Sequence, residues 1–220
     1  MIENIKSIKY TIVLIALVNF LMTPLVAGVF GPNSSLFVAL NFTLVILAGY
    51  IAAERKIPKI LSLIFGLATL TSIWLEFIYG PVETIKFLRL SFSFALFILL
   101  AYILIRTIFD IKVINLKVLC GAMSGFILLG IIGGVIYETL ELFNPGAVGV
   151  PADAGGYKFY YFSFINLTTV GFGDIVPISA QAQAITVLLS VLGQFYMAIG
   201  VAVFIGKYLN AQNIRQKSFQ

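Results

Sequence analysis

Long apolar runs, separated only by short charged clusters or glycine–proline joints, fill this chain. Of its 220 residues, 60% are hydrophobic and 10% charged; a soluble domain carries about 25% charged residues. So few polar groups cannot cover a water-facing surface, and the chain reads as a multi-spanning membrane protein. A helix needs about 20 residues to cross the hydrocarbon. Runs of that order occupy residues 10–30, 36–53, 60–79, 87–108, 118–142 and 180–209. They predict an all-α integral membrane protein with six transmembrane helices, the first kinked at Pro24. Asn41 is the strongly polar residue of the second run, and Trp74, Glu76 and Tyr79 form an interfacial belt at the end of the third. Residues 110–117 read as a polar linker, and 143–158 as an exposed loop rich in Gly, Pro and Ala.

Basic residues set the orientation. Six spans put both termini on one side. That side holds Lys6, Lys9, Arg55, Lys56, Lys59, Arg106, Lys112, Lys117, Lys207, Arg215 and Lys217; the other holds Lys86, Arg89 and Lys158. Eleven against three places the termini in the cytoplasm of a multi-pass cell-membrane protein. The loop at 143–158 is then external, as are Glu76, Glu83, Glu138, Glu141, Asp153 and Asp174. The net charge of +5 is never concentrated in a dense patch, so lipids rather than nucleic acid are the expected partners. Cys120 reads as a small core residue. The sequence contains no nucleophile–base pair, phosphate loop or metal-ligand cluster, so no enzyme activity and no cofactor are expected. It has no histidine, so proton sensing near neutral pH would need a shifted acid such as Glu138 or Glu141.

Between the last two runs, Phe159–Thr168 is apolar but too short to span. It leads into Thr168-Thr169-Val170-Gly171-Phe172-Gly173-Asp174. Glycine tolerates positive φ, so two glycines at this spacing let successive carbonyls turn one way. Non-helical backbone survives at membrane depth only where it is buried in protein or lines a cavity. A short helix feeding the loop would aim its negative C-terminal end at a cation path.

This stretch, behind an aromatic helix and before Pro177, resembles the selectivity filter of tetrameric potassium channels. The six runs with one pore loop resemble the voltage-gated-like superfamily, in its bacterial ion-channel type. The resemblance implies a homotetramer around a central pore, with K+ as the permeant ion and membrane lipid around it. It divides the chain into a four-helix, voltage-sensor-like domain at 1–109, the linker at 110–117 and a pore domain at 118–220. Within the pore domain it implies an outer helix 118–142, a pore helix 159–168, a filter 169–174, an inner helix 180–209 and a short cytoplasmic tail. Thr169, Val170, Gly171 and Phe172 would give the ion-coordinating carbonyls, and Thr169 its hydroxyl as well. Thr168, Gly173, Asp174 and Tyr161 would support them, Asp174 bonding to Tyr161. Phe172 stands where the family usually has tyrosine, and Ile165 where some members carry a buried acid. Gly193 lies where the family's inner helix often bends, and reads equally as a small residue for close packing. Met197, Val201 and Ile205 recur at helical spacing and are inner-gate candidates.

The fourth run departs from the superfamily. From Lys86 and Arg89 the three-residue register continues through Phe92, Ala95, Ile98 and Ala101, all apolar. A working sensor moves about 3–4 charges per subunit. Lys86 and Arg89 are expected to snorkel at the membrane edge, leaving weak or absent voltage gating. The short linker predicts that each four-helix domain packs on its own subunit's pore. The expected function is a potassium-selective channel. The alternatives are a nonselective cation channel, or a non-conducting auxiliary or scaffold protein that retains the pore fold.

Overall fold

The computed structural model describes residues 2–25, 34–80, 82–110, 116–151 and 157–217, with side chains for 8–25, 37–80, 82–106, 119–151, 157–203 and 206. Helices α1 (Ile2–Leu21), α2 (Ser34–Ala52), α3 (Lys56–Tyr79) and α4 (Glu83–Asp110) pack in sequence order. Both α1 and α4 lie against α5 (Leu116–Phe143) of the same chain. After α5 come the short strand β1 (Val148–Gly149), the ten-residue helix α6 (Lys158–Leu167), strand β2 (Val176–Pro177) and the long helix α7 (Ala180–Lys217). Among the described residues, four helices are long and apolar enough to cross a membrane: Lys56–Tyr79, Glu83–Arg106, Leu119–Phe143 and Ala180–Val203. Ile8–Leu21 and Phe37–Ala52 are shorter apolar helices.

Helix ends differ from the sequence expectation for local reasons. The first helix starts at Ile2 and stops at Leu21, short of the kinked span expected over 10–30. Pro24 has no N–H to give the Phe20 carbonyl, and the Thr23 hydroxyl donates to that carbonyl instead, at 2.6 Å. The turn expected from Gly31 falls largely on residues outside those described. The third helix begins at Lys56 because Pro58 is tolerated in a first turn. Residues 111–115, the centre of the expected linker, also lie outside the described set. The last helix overshoots 209 and reaches Lys217; residues 207–217 contain neither Gly nor Pro to stop it.

One core joins α1, α2, α4 and α5 through Val13, Leu17, Phe42, Val45, Phe97 and Leu128. Phe20 sits in it edge-on to Phe42, Phe97 and Tyr160, at centroid distances of 5.3, 5.8 and 5.8 Å. Polar residues inside it find partners: the Asn19 and Asn41 amides bond across α1 and α2, and Asn41 Nδ2 also donates to the Phe37 carbonyl at 2.9 Å. A second core of Tyr137, Phe162, Ile165, Leu167, Ile175 and Leu189 lies beneath the loop that follows α6.

Arg89 overturns the snorkelling expectation. Its side chain is only 14% exposed, with Nε 2.8 Å from Glu76 and a terminal nitrogen 2.8 Å from Glu138. Helices α3 and α5 bring those acids to its depth. An isolated buried charge costs several kcal/mol, so the arginine turns inward to its partners. Lys86 is the more exposed of the two cations, its Nζ 4.0 Å from the same Glu138 oxygen.

Candidate functional site

Helix α6 is pressed into α5 at a run of small residues. Gly130, Gly133 and Gly134 face Phe164, Ser163 and Tyr160, and a side chain at any of them would collide. The Ser163 hydroxyl donates to the Gly130 carbonyl at 2.6 Å. The sequence supports so close an approach because three glycines fall on one turn of α5.

The end of α6 organises the loop after it. The amides of Thr168 and Thr169 donate to Phe164 and Asn166 at 2.9 and 3.0 Å, and those of Val170 and Gly171 share Ile165 at 2.9 and 3.2 Å. Four consecutive N–H groups therefore point back at the helix. Along the loop φ is positive at alternate residues: 58° at Thr169, 54° at Gly171 and 81° at Gly173. Alternating left- and right-handed residues gather N–H groups on one side of a strand and leave the carbonyls on the other. The glycines accept this geometry freely; Thr169, β-branched, is held in it against its preference. A row of carbonyls with its amides already used can serve as oxygen ligands for a dehydrated cation. The negative end of α6 lies against the same loop.

The far end is braced twice. The Tyr161 hydroxyl donates to Asp174 at 2.8 Å, and this bond to the carboxylate holds the phenol above its usual range. Strands β1 and β2 pair antiparallel, Val148 opposite Pro177 and Gly149 opposite Val176. The amides of Ile178 and Ser179 donate to Ala147 at 2.9 and 3.0 Å. Glu141 takes the amides of Gly146 and Val148 at 2.8 and 3.1 Å, locking that turn.

The near end rests on α7. The Ser190 hydroxyl donates to the Asn166 carbonyl at 3.1 Å, and Gln194 Nε2 to the Thr169 hydroxyl at 3.0 Å. Between them Gly193 lies directly against the Leu167 carbonyl, where a Cβ would strike backbone. Helix α7 runs unbroken through Gly193, so close packing alone accounts for a glycine in this conformation.

The structure thus brings Thr168–Asp174 and Tyr161 into one unit. Met197 and Val201 stand apart, farther along α7 on an uncovered face and 55% and 52% exposed. The side chain of Ile205 lies outside the described residues. Gln194 and Ser190 had no role in the sequence reading, and Glu141 entered it only as an external acid, not as the lock of this turn. The available signal was a polar–small–polar set at 190, 193 and 194, one face of an otherwise apolar helix.

Residues 124–210 match the family model described as ion channel. That segment holds most of α5, all of α6, the loop and most of α7. The match supports ion-channel function, carried by an α-helical membrane protein. No curated protein and no solved structure matches the chain.

Proposed function

We propose that the chain is a potassium-selective channel that assembles as a homotetramer in the cell membrane, with its termini cytoplasmic. The observation that carries this reading is the alternation of positive φ at Thr169, Gly171 and Gly173, with the amides of 168–171 tied back to α6. Thr169, Val170, Gly171 and Phe172 then supply the carbonyls for K+. Thr168, Gly173, Asp174 and Tyr161 hold the loop.

Exposure supports the tetramer. In a single chain Val170 is 54% and Phe172 71% exposed, and α7 leaves Val187, Leu188, Val191 and Phe195 uncovered. Further copies around an axis through the loop would cover that apolar face and close the ring of carbonyls. Six crossings follow if α1 and α2 accompany the four longer helices. Weak or absent voltage gating is supported by Arg89, which is fixed by acids from α3 and α5 and so is poorly placed to move with voltage.

The test is the reversal potential of the purified protein in planar bilayers, under bi-ionic potassium and sodium. A shift toward the potassium equilibrium potential is expected. A value near zero would indicate a nonselective channel, and no current a non-conducting protein.

A further inference from the structure

Helix α7 meets α6 and the loop at three points on one face: Ser190 at the Asn166 carbonyl, Gly193 at the Leu167 carbonyl and Gln194 at the Thr169 hydroxyl. The first two are contacts with the end of α6. The third reaches a side-chain oxygen that the proposed function makes a cation ligand. We propose that Gln194 is a positioning residue for that function: its amide holds the Thr169 hydroxyl in place and so sets how the innermost cation site discriminates between ions. This rests on the potassium-channel reading of the loop.

The physical case has three parts. Thr169 is a β-branched residue at φ 58°, a conformation it keeps only if its surroundings hold it. Its amide is fixed by Asn166 at 3.0 Å, and the Gln194 amide fixes its side chain at 3.0 Å. A threonine hydroxyl has one proton and two lone pairs. With one lone pair accepting from Gln194, the other is left for a cation, and its direction is no longer free. The seat of Gln194 is equally constrained, because Gly193 allows α7 to touch the backbone of α6. A longer residue at 193 would lift the amide off the hydroxyl.

The experiment compares wild type, Gln194→Met, Gln194→Glu, Thr169→Val and the double variant Gln194→Met/Thr169→Val, purified and recorded in bilayers. Permeability ratios are measured for K+, Rb+, Cs+ and Na+. Gln194→Met keeps the length and loses the donor; it is expected to change the K+/Na+ ratio by about 2- to 10-fold, the range one neutral hydrogen bond is worth. Gln194→Glu can accept the Thr169 proton instead and should lie closer to wild type. In the Thr169→Val background, Gln194→Met should add no further change. An unchanged ratio in Gln194→Met overturns the proposal, as does an equal change with and without the Thr169 hydroxyl. A role in packing alone would lower thermal stability without moving the ratios. If Gln194→Met does not assemble, the Glu variant carries the comparison, and a Glu ratio that departs from wild type by more than about 10-fold counts against it. A wild type equally permeable to Na+ and K+ overturns the potassium reading alone, since the coupling is still read from Rb+ and Cs+. A wild type without cation current overturns both.

Discussion

The two halves of the molecule treat their polar groups in opposite ways. In α1 to α4 they are used up inside the chain. Asn19 meets Asn41, Thr23 covers the carbonyl left by Pro24, and Arg89 is held by two carboxylates. Among the described residues no buried side-chain nitrogen or oxygen lacks a partner. In the loop after α6 the amides of 168–171 are taken by α6, while positive φ alternates along it, a pattern that turns carbonyls away from the bonded amides. The apolar face of α7 beside it is equally uncovered. The first half is complete within one chain; the second leaves an apolar face and a loop that the proposed tetramer and its ion would complete.

Removing the loop's conformational freedom should break this contrast most severely. Gly171→Ala or Gly173→Ala forces an L-residue into the left-handed region at about 1–2 kcal/mol each, in every subunit of the proposed tetramer at once. Space is not the obstacle, since a Cβ at either position meets nothing within 4 Å. The expected outcome is loss of potassium current in bilayers, with the assembled protein still eluting as wild type in size exclusion.

Next in size is a break in the closed half. Arg89→Met leaves Glu76 without its cation and Glu138 with only the longer contact to Lys86, and should destabilise by about 3 kcal/mol, the low end for a severed buried pair. Thermal unfolding in detergent checks this, and adding Glu138→Gln should recover part of the loss. If Arg89→Met is neutral, the closed half is not held by this cluster.

Gly193→Ala probes the border between the halves. Its Cβ strikes the Leu167 carbonyl, and about 1–3 kcal/mol of overpacking is expected, read in the same melt. Gly200→Ala on the same helix meets nothing within 4 Å and should lie within about 0.5 kcal/mol of wild type. Equal effects at the two positions would remove the packing account of Gly193.

The smallest effect belongs to Tyr161→Phe, which deletes the bond to Asp174. The site is open to solvent, so global stability should barely move. The readout is a faster decline of current during sustained recording, with the initial amplitude retained. The neutral phenol is the donor and its pKa is raised above 10.0. The wild-type brace is therefore present at neutral pH and is lost as pH rises through that raised value, so the variant's difference from wild type should vanish in strongly alkaline buffer.

Legibility in the sequence followed the range of the cause. The 168–174 loop announced itself because glycine spacing is a local signal, and the Tyr161–Asp174 pair could be named only because the stretch resembles a known filter, since a separation of 13 residues does not by itself show a contact. Arg89 was misread because its partners sit on two other helices, α3 and α5, and no such resemblance pointed to them. The cue was there: Glu138 lies inside an apolar run, and an acid at such a position needs a cation. Gly193 stayed ambiguous because a hinge and a close contact both call for the same residue. Gln194 was missed because the polar–small–polar set at 190, 193 and 194 marks a face of α7 without showing that this face meets the loop.

The packing of α1 and α4 on their own α5 has an evolutionary consequence. The outer helices and the loop-bearing helices of one chain form one wedge, and each copy of the proposed tetramer would bring both together. A lineage can then remodel, shorten or replace the outer helices by changes on the side of α5 that they cover and leave the uncovered face of α7 untouched. A change in the number of arginines on α4 would be of that kind: it alters the charge that the wedge carries without altering the face that α7 presents.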